Sequence, residues 1–323
     1  MNDQIDRRIA VIGLGAMGGA MAATLHRAGW QVTGFDPSGE ARTAAEQTGI
    51  KTIPNLADAA GTPYAVLSLP AASIVETTVP QLLKVPGTVA IIDTTTSEPG
   101  TSKTMAELAQ TQGAAFVDAP VSGGRDGAAT GSLSAFVGAT DKALAAAEPV
   151  LLALTGGKYS HIGGPGSGNV VKLLNNVLAA ANLVSVGEAL GVAKAYGIDP
   201  ATAAASISNA SGGSKVSANM YPNWVLSGTH DSGFSLGLMA RDAALAVDVA
   251  ARIGEKPALL AAVASQWQDA LAALGPKADF TEIARTVAPA ITPAGAPSNA
   301  PGLEPGTAPG AAPGTASGTT AVG

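Results

Sequence analysis

"RIAVIGLGAMGGAMAATLHRAGWQVTGFDPS", residues 8–38, decides the fold. An apolar run ends in glycine, a small-residue helical stretch follows, and a second apolar run ends in Asp36. Gly13, Gly15 and Gly18 stand in G-x-G-x-x-G spacing between the first run and the helix. The first glycine permits a tight turn, the second lets a pyrophosphate approach the backbone, and the third lets the helix pack close. The free N–H groups at the helix start attract phosphate. Gly13, Leu14, Gly15, Ala16, Met17 and Gly18 are therefore candidate cofactor-binding residues. Asp36 follows Gly15 by 21 residues and is placed to accept hydrogen bonds from the ribose hydroxyls of NAD. It would repel a 2′-phosphate, and Pro37, Ser38 and Gly39 bring no arginine to offset that, so NAD is favoured over NADP.

Further apolar runs at 64–69, 89–94, 114–119 and 133–138 read as strands, with helices at 17–28 and 101–112. This alternation predicts a doubly wound parallel sheet with helices on both faces, a Rossmann-type α/β domain over residues 1–163. Strand signals then stop. A helix of about 30 residues over 168–196, a helical region opening near Pro200, and helices at 241–254 and 257–274 predict an all-α domain over 164–292, joined to the first by the long helix. Residues 293–323 are dominated by Pro, Ala, Gly, Ser and Thr, and such a segment buries too little apolar surface to order itself. It reads as a disordered tail, with a partner-binding linker as the alternative.

The 323 residues are 46% hydrophobic but only 4% aromatic, so the core is built from Ala, Val, Leu and Ile. A formal charge of −6 argues against nucleic acid as a partner. The chain has no cysteine and three scattered histidines, which excludes thiolate chemistry and gives no expectation of a metal. The N-terminus lacks a signal-peptide core, and no apolar run reaches membrane-spanning length without polar interruption, so a cytoplasmic protein is expected, with no membrane partner.

Four stretches, "GLGAMGGAM" (13–21), "DTTTSEP" (93–99), "DAPVSGG" (118–124) and "GSGNVVKLLNN" (166–176), resemble motifs of the β-hydroxyacid dehydrogenases. That family includes 3-hydroxyisobutyrate dehydrogenase, tartronate semialdehyde reductase and L-threonate dehydrogenase. A fifth stretch, "FSLGLMARDAALA" (234–246), matches with one departure. The resemblance spans roughly residues 7–290. It implies an NAD(P)-dependent 3-hydroxyacid dehydrogenase that moves a hydride between the nicotinamide and a small carboxylate substrate, and it suggests a homodimer or homotetramer. It makes Lys172 the catalytic acid/base, a role that burial beside Val171, Leu173 and Leu174 supports by lowering its pKa. Asn176, four residues on and on the same helix face, is implied to contact substrate, whereas Asn175 is turned away and expected to make backbone or interhelical hydrogen bonds.

Ser122, Gly123 and Gly124 form a glycine-rich loop suited to a carboxylate, the use the family makes of it. Arg125 is either a further donor or a solvated side chain. Thr96 matches a hydroxyl on the nicotinamide side, and Leu69 and Pro70 match a segment that lines the cofactor. The departure is Arg241, which stands where the family has lysine, next to Asp242. Both are candidates for the cofactor or substrate region; Arg241 either grips a carboxylate or pairs with Asp242, and Asp242 either binds cofactor or orients the lysine. Tyr221, Trp224 and Phe234 read as core residues more than as pocket walls. Two rivals remain. An imine or other carbonyl reductase of the same fold usually lacks the lysine, and a non-catalytic cofactor-binding scaffold would have no need of it. A sugar phosphate substrate is disfavoured, because related 6-phosphogluconate enzymes carry His-Asn where this chain has Asn175-Asn176.

Overall fold

The computed structural model describes residues 6–293. β1 (Arg8–Ile12), α1 (Ala16–Arg27) and β2 (Gln31–Phe35) form the opening unit, followed by α2 (Gly39–Glu46), β3 (Lys51–Thr52), β4 (Tyr64–Leu67), α3 (Ala72–Leu82), β5 (Ala90–Asp93), α4 (Pro99–Thr111) and β6 (Ala115–Asp118). The strands pair in the order β3-β2-β1-β4-β5-β6, all parallel. This is the doubly wound order, with its switch point between β1 and β4. Alternate residues along the strands feed two cores. Ile9, Val11, Val66, Ile92 and Val117 pack on one face, and Ala10, Ile12, Leu67, Ile91 and Phe116 on the other. Both faces are covered, which is why these strands read as unbroken apolar runs.

Beyond β6 come β7 (Val121–Ser122), α5 (Gly124–Thr130), β8 (Ser134–Gly138), α6 (Asp141–Thr155) and β9 (Tyr159–Gly163). β8 runs antiparallel to β6 and β7, so the sheet is parallel only in its larger part. The two-residue strands β3 and β7 are too short to give a pattern, and β9 is an exposed edge strand without an apolar face.

α7 (Ser167–Ala195) leaves the sheet as a 29-residue helix and enters the helical domain of α8 (Pro200–Ser208), a π-helical segment (Val216–Val225), α9 (Leu236–Arg252), α10 (Ala258–Leu274) and α11 (Ala284–Val287). α9 begins five residues earlier than the apolar periodicity indicated; Ser235 caps it by accepting from the Leu238 N–H. The π-helical turn, which contains Pro222, was not legible in advance. Tyr221 is fully buried there and donates to the Leu183 carbonyl at 2.6 Å, while Phe234 packs edge-on against Phe280. Tyr221 is a core residue, Phe234 is partly buried and packs against the same core, and Trp224 is half-buried.

α7 is long and apolar enough to cross a bilayer by length and composition, yet half of its most apolar stretch is buried inside the protein. The expectation for 293–323 lies, past Pro293, outside the described residues.

Candidate active site

β1, β4, β5 and β6 are parallel neighbours, so the segments that follow them emerge along one edge of the sheet: Gly13–Gly18, Leu69–Pro70, Thr94–Thr96 and the 119–124 stretch. Ligands of open α/β sheets bind at this edge, beside the switch point.

The glycine loop has the shape the spacing requires. Gly13 has φ +90°, and a side chain there would collide with the Ser68 carbonyl; one at Gly18 would collide with the Gly13 carbonyl. At Gly15, by contrast, no atom lies within 4 Å of where a Cβ would stand. Gly15 also opens α1, whose N-terminus has no side-chain cap and no acidic residue in its first turn. An open cradle facing uncapped N–H groups fits a pyrophosphate. Asp36 accepts from the Leu14 N–H and the Ser38 N–H, both at 2.8 Å, which locks the loop against the end of β2. Arg42, which no sequence motif marks, folds back from α2 to donate to the Asp36 and Pro37 carbonyls at 2.6 and 3.2 Å. Its position one turn inside a capped helix was the available signal.

On the nicotinamide side the three threonines separate. Thr94 donates to the Leu67 carbonyl at 2.6 Å, and Thr95 accepts from the Leu69 N–H at 3.1 Å. Both are buried and engaged in holding the loop. Thr96 is half-exposed and has no side-chain hydrogen bond among the described residues, so its hydroxyl is the one available to a ligand. Val121–Ser122 pairs with β8 rather than forming a plain loop, and Gly123 and Gly124 follow with φ of +125° and +61°. Space is open at Gly124 as well. Arg125 is exposed, the solvated alternative.

Lys172 lies on α7 with 9% of its surface exposed, and its ammonium has no hydrogen-bond partner among the described residues. Burial pushes its pKa down from 10.5 to about 8, against the pull of the Asp242 carboxylate. Leu173 is buried beside it, whereas Leu174 is 42% exposed and takes no part in that burial. Asn176 donates to Asp242 at 2.8 Å and accepts from Asn175 at 3.2 Å, so its amide is held at both ends. Asn175 is therefore not an interhelical or backbone partner: it is exposed, and its amide fixes the orientation of its neighbour.

Asp242 is 1% exposed, and its other oxygen accepts from Arg241 Nε and Nη2 at 3.0 and 2.7 Å. The remaining edge of Arg241 donates to the Pro70 carbonyl, in the segment that follows β4, at 2.7 Å. Of the two alternatives for Arg241, pairing with Asp242 is the one formed, and the carboxylate-gripping fork is already occupied. Asp242 is enclosed by Arg241 and Asn176, a geometry that suits orienting the lysine's surroundings rather than direct cofactor contact.

The chain is similar to known proteins along nearly all of its described length. Residues 8–163 match the family model described as the NAD binding domain of 6-phosphogluconate dehydrogenase, and residues 166–287 match that described as the NAD-binding domain of NADP-dependent 3-hydroxyisobutyrate dehydrogenase. The 3-hydroxyisobutyrate dehydrogenase of Pseudomonas aeruginosa is 35% identical over 251 residues, covering 74% of this chain and 84% of the relative. The 2-(hydroxymethyl)glutarate dehydrogenase of Eubacterium barkeri is 34% identical over 277 residues, covering 83% and 90%. The structure of Mycobacterium tuberculosis 3-hydroxyisobutyrate dehydrogenase with L-serine superposes with a TM-score of 0.81 at 29% identity, covering 88% of this chain and 99% of that one. The glycine cradle, the buried lysine and these matches lead to one conclusion: the chain belongs to the 3-hydroxyisobutyrate dehydrogenase family of NAD(P)-binding oxidoreductases.

Proposed function

We propose that this chain oxidises a small β-hydroxyacid, with Lys172 taking the hydroxyl proton as hydride leaves the carbinol carbon. The nicotinamide, when bound, supplies the hydride acceptor. One observation carries the reading. A lysine nine-tenths buried, with its pKa near 8 and its ammonium free, sits one helical turn from a fixed amide. Near that pH the amine is partly neutral and able to accept a proton, and its conjugate acid is able to return one in the reverse reaction. Asn176 keeps one amide N–H for the substrate, since its carbonyl and its other N–H are occupied by Asn175 and Asp242. The Ser122 hydroxyl and the Gly123–Gly124 N–H groups are assigned the substrate carboxylate, Thr96 the nicotinamide side, and Leu69 and Pro70 the cofactor's flank. In the imine-reductase reading the lysine would have no task.

3-Hydroxyisobutyrate, 2-(hydroxymethyl)glutarate and L-serine, named with the relatives, share one unit: a primary alcohol on the carbon next to the one bearing the carboxylate. That unit is the proposed recognition element. NAD is proposed as the preferred cofactor on the strength of Asp36. Arg42 is spent on the Asp36 and Pro37 carbonyls, which supports that preference.

A second copy of this chain is proposed as the partner, supported by exposed apolar side chains along α7, Leu174, Leu178 and Val192. The proposed location is the cytoplasm, with its dinucleotide pool. The reading is tested by NAD reduction over a panel of small hydroxyacids at pH 9, wild type against Lys172→Ala. Turnover of a 2-(hydroxymethyl) acid by wild type alone supports it; turnover retained by the variant overturns it.

A further inference from the structure

Lys172 is carried on a helix whose first turn has no cap of its own: Gly166 precedes it with φ +90°, and no side chain of the helix start caps its N–H groups. The cap comes from elsewhere in the chain. Asp118, the last residue of β6, accepts from the Gly166 N–H at 2.7 Å with one oxygen and from the Asn169 N–H at 2.9 Å with the other. The carboxylate is fully enclosed. A Cβ at Gly138 would lie 2.5 and 2.6 Å from its two oxygens, and one at Gly168 would meet it at 2.9 Å. Asn169 completes the attachment, accepting from the Ser97 N–H at 2.9 Å and donating to Ser102 Oγ at 3.1 Å.

Lys172 follows Asn169 by three residues, so it stands one turn above this attachment. Ser122 follows Asp118 by four residues, on the short strand paired to β8. One buried carboxylate thus joins the strand that leads to the proposed carboxylate loop and the helix that carries the proposed base.

We propose that Asp118 is a positioning residue of the reaction, setting the distance between Lys172 and the substrate's hydroxyl by clamping the start of α7 to the end of β6. The proposal rests on the reading of Lys172 as acid/base. Four features make the attachment directional rather than merely cohesive. The carboxylate is bidentate, it engages N–H groups at the positive end of a 29-residue helix, it is walled by glycines, and it offers no slack for the helix to slide. Burial pushes its carboxyl up to about 7, against the helix N–H groups that favour the anion. The clamp is therefore strongest at the alkaline pH where the lysine is neutral. Errors of about 1 Å in the placement of a reacting group cost on the order of 100-fold in rate.

Asp118→Asn keeps the shape but turns one accepting oxygen into a donor facing an N–H. Gly138→Ala keeps the carboxylate but pushes it off its partners. Both are compared with wild type by melting temperature, NADH binding by fluorescence, and kcat and KM with the best hydroxyacid. The expected result for each folded variant is a loss of kcat on the order of 10- to 100-fold, with NADH affinity and the KM for NAD within about twofold. A kcat within threefold of wild type in either folded variant, whatever the change in melting temperature, overturns the proposal. So does a parallel loss of kcat and NADH affinity, which marks general damage to the domain. Lys172→Ala, run beside them, separates the two ideas: turnover retained there sinks the reading of the lysine, whereas its loss with Asp118→Asn fully active sinks only the clamp.

Discussion

Replacing Lys172 with methionine is expected to abolish turnover and, at neutral pH, to stabilise the protein. In the fold the lysine's pKa drops from 10.5 to about 8 through burial. At about 1.4 kcal/mol per pKa unit, the interior disfavours the ammonium by about 3 kcal/mol. The sign follows from linkage. Between pH 8 and 10.5 the unfolded chain holds the proton more strongly than the native one, so native stability rises with pH across that window and the full penalty applies below it. Methionine is apolar and of similar length, and escapes the penalty. Part of the gain is returned because Asp242 loses a cationic neighbour, although Arg241 still pairs with it at 2.7 Å. At pH 7 the variant should melt several degrees above wild type, given about 2–4 °C per kcal/mol for chains of 150–250 residues. The gap should close as the pH approaches 10.5. The assay is a pair of melting curves at a series of pH values. A variant that melts at or below the wild-type temperature at pH 7, or a gap independent of pH, refutes the claim that this site holds a strained cation.

Other expected outcomes concern its neighbours. Asp242→Asn removes the charge that favours the ammonium, so the rising limb of the pH–kcat/KM profile for oxidation should move below pH 8, by about one unit, and Asn176 should lose orientation, seen as a higher KM for the hydroxyacid. Arg241→Met leaves Asp242 uncompensated and cuts the tie to Pro70; the same limb should move above pH 8, and a limb that stays in place would remove Arg241 from the electrostatics of the site. Asp36→Asn should raise the ratio of NADP to NAD efficiency by roughly tenfold, read from initial rates with each cofactor, and a wild type that already prefers NADP would contradict the assignment of Asp36. Gly15→Ala puts a methyl into the open cradle and should weaken NADH binding with little effect on melting temperature, because no protein atom lies within 4 Å of where that Cβ would stand.

Much of the first domain was legible because its strands are buried on both faces and so stand out as apolar runs, while the glycine spacing names the turn between β1 and α1. β9 escaped because an exposed edge strand carries no apolar pattern, and the π-helical turn at 216–225 because it depends on Tyr221 reaching Leu183 across the domain. Within the site, Lys172 and Asn176 were visible as polar residues on an apolar helix. In the sequence Asp118 stands out only as the first residue of the "DAPVSGG" stretch. Its partner Gly166 lies 48 residues away, so its role exists only once β6 and α7 meet. The signal it left was a carboxylate ending a buried strand with no basic residue beside it. Asn175 misled because helical spacing locates a side chain's face but says nothing of an amide that reaches its immediate neighbour. Arg42 is not legible as a partner of the Asp36 turn because it lies six residues on in sequence, and only the turn of α2 brings it back.

The most direct test of the central claim is the pH dependence of kcat/KM for hydroxyacid oxidation, measured for wild type and Lys172→Ala with NADH binding followed in parallel. The account predicts a wild-type rate that rises with pH through a group near 8, no turnover in the variant at any pH, and NADH affinity unchanged. A variant that still turns over with the wild-type profile would contradict it.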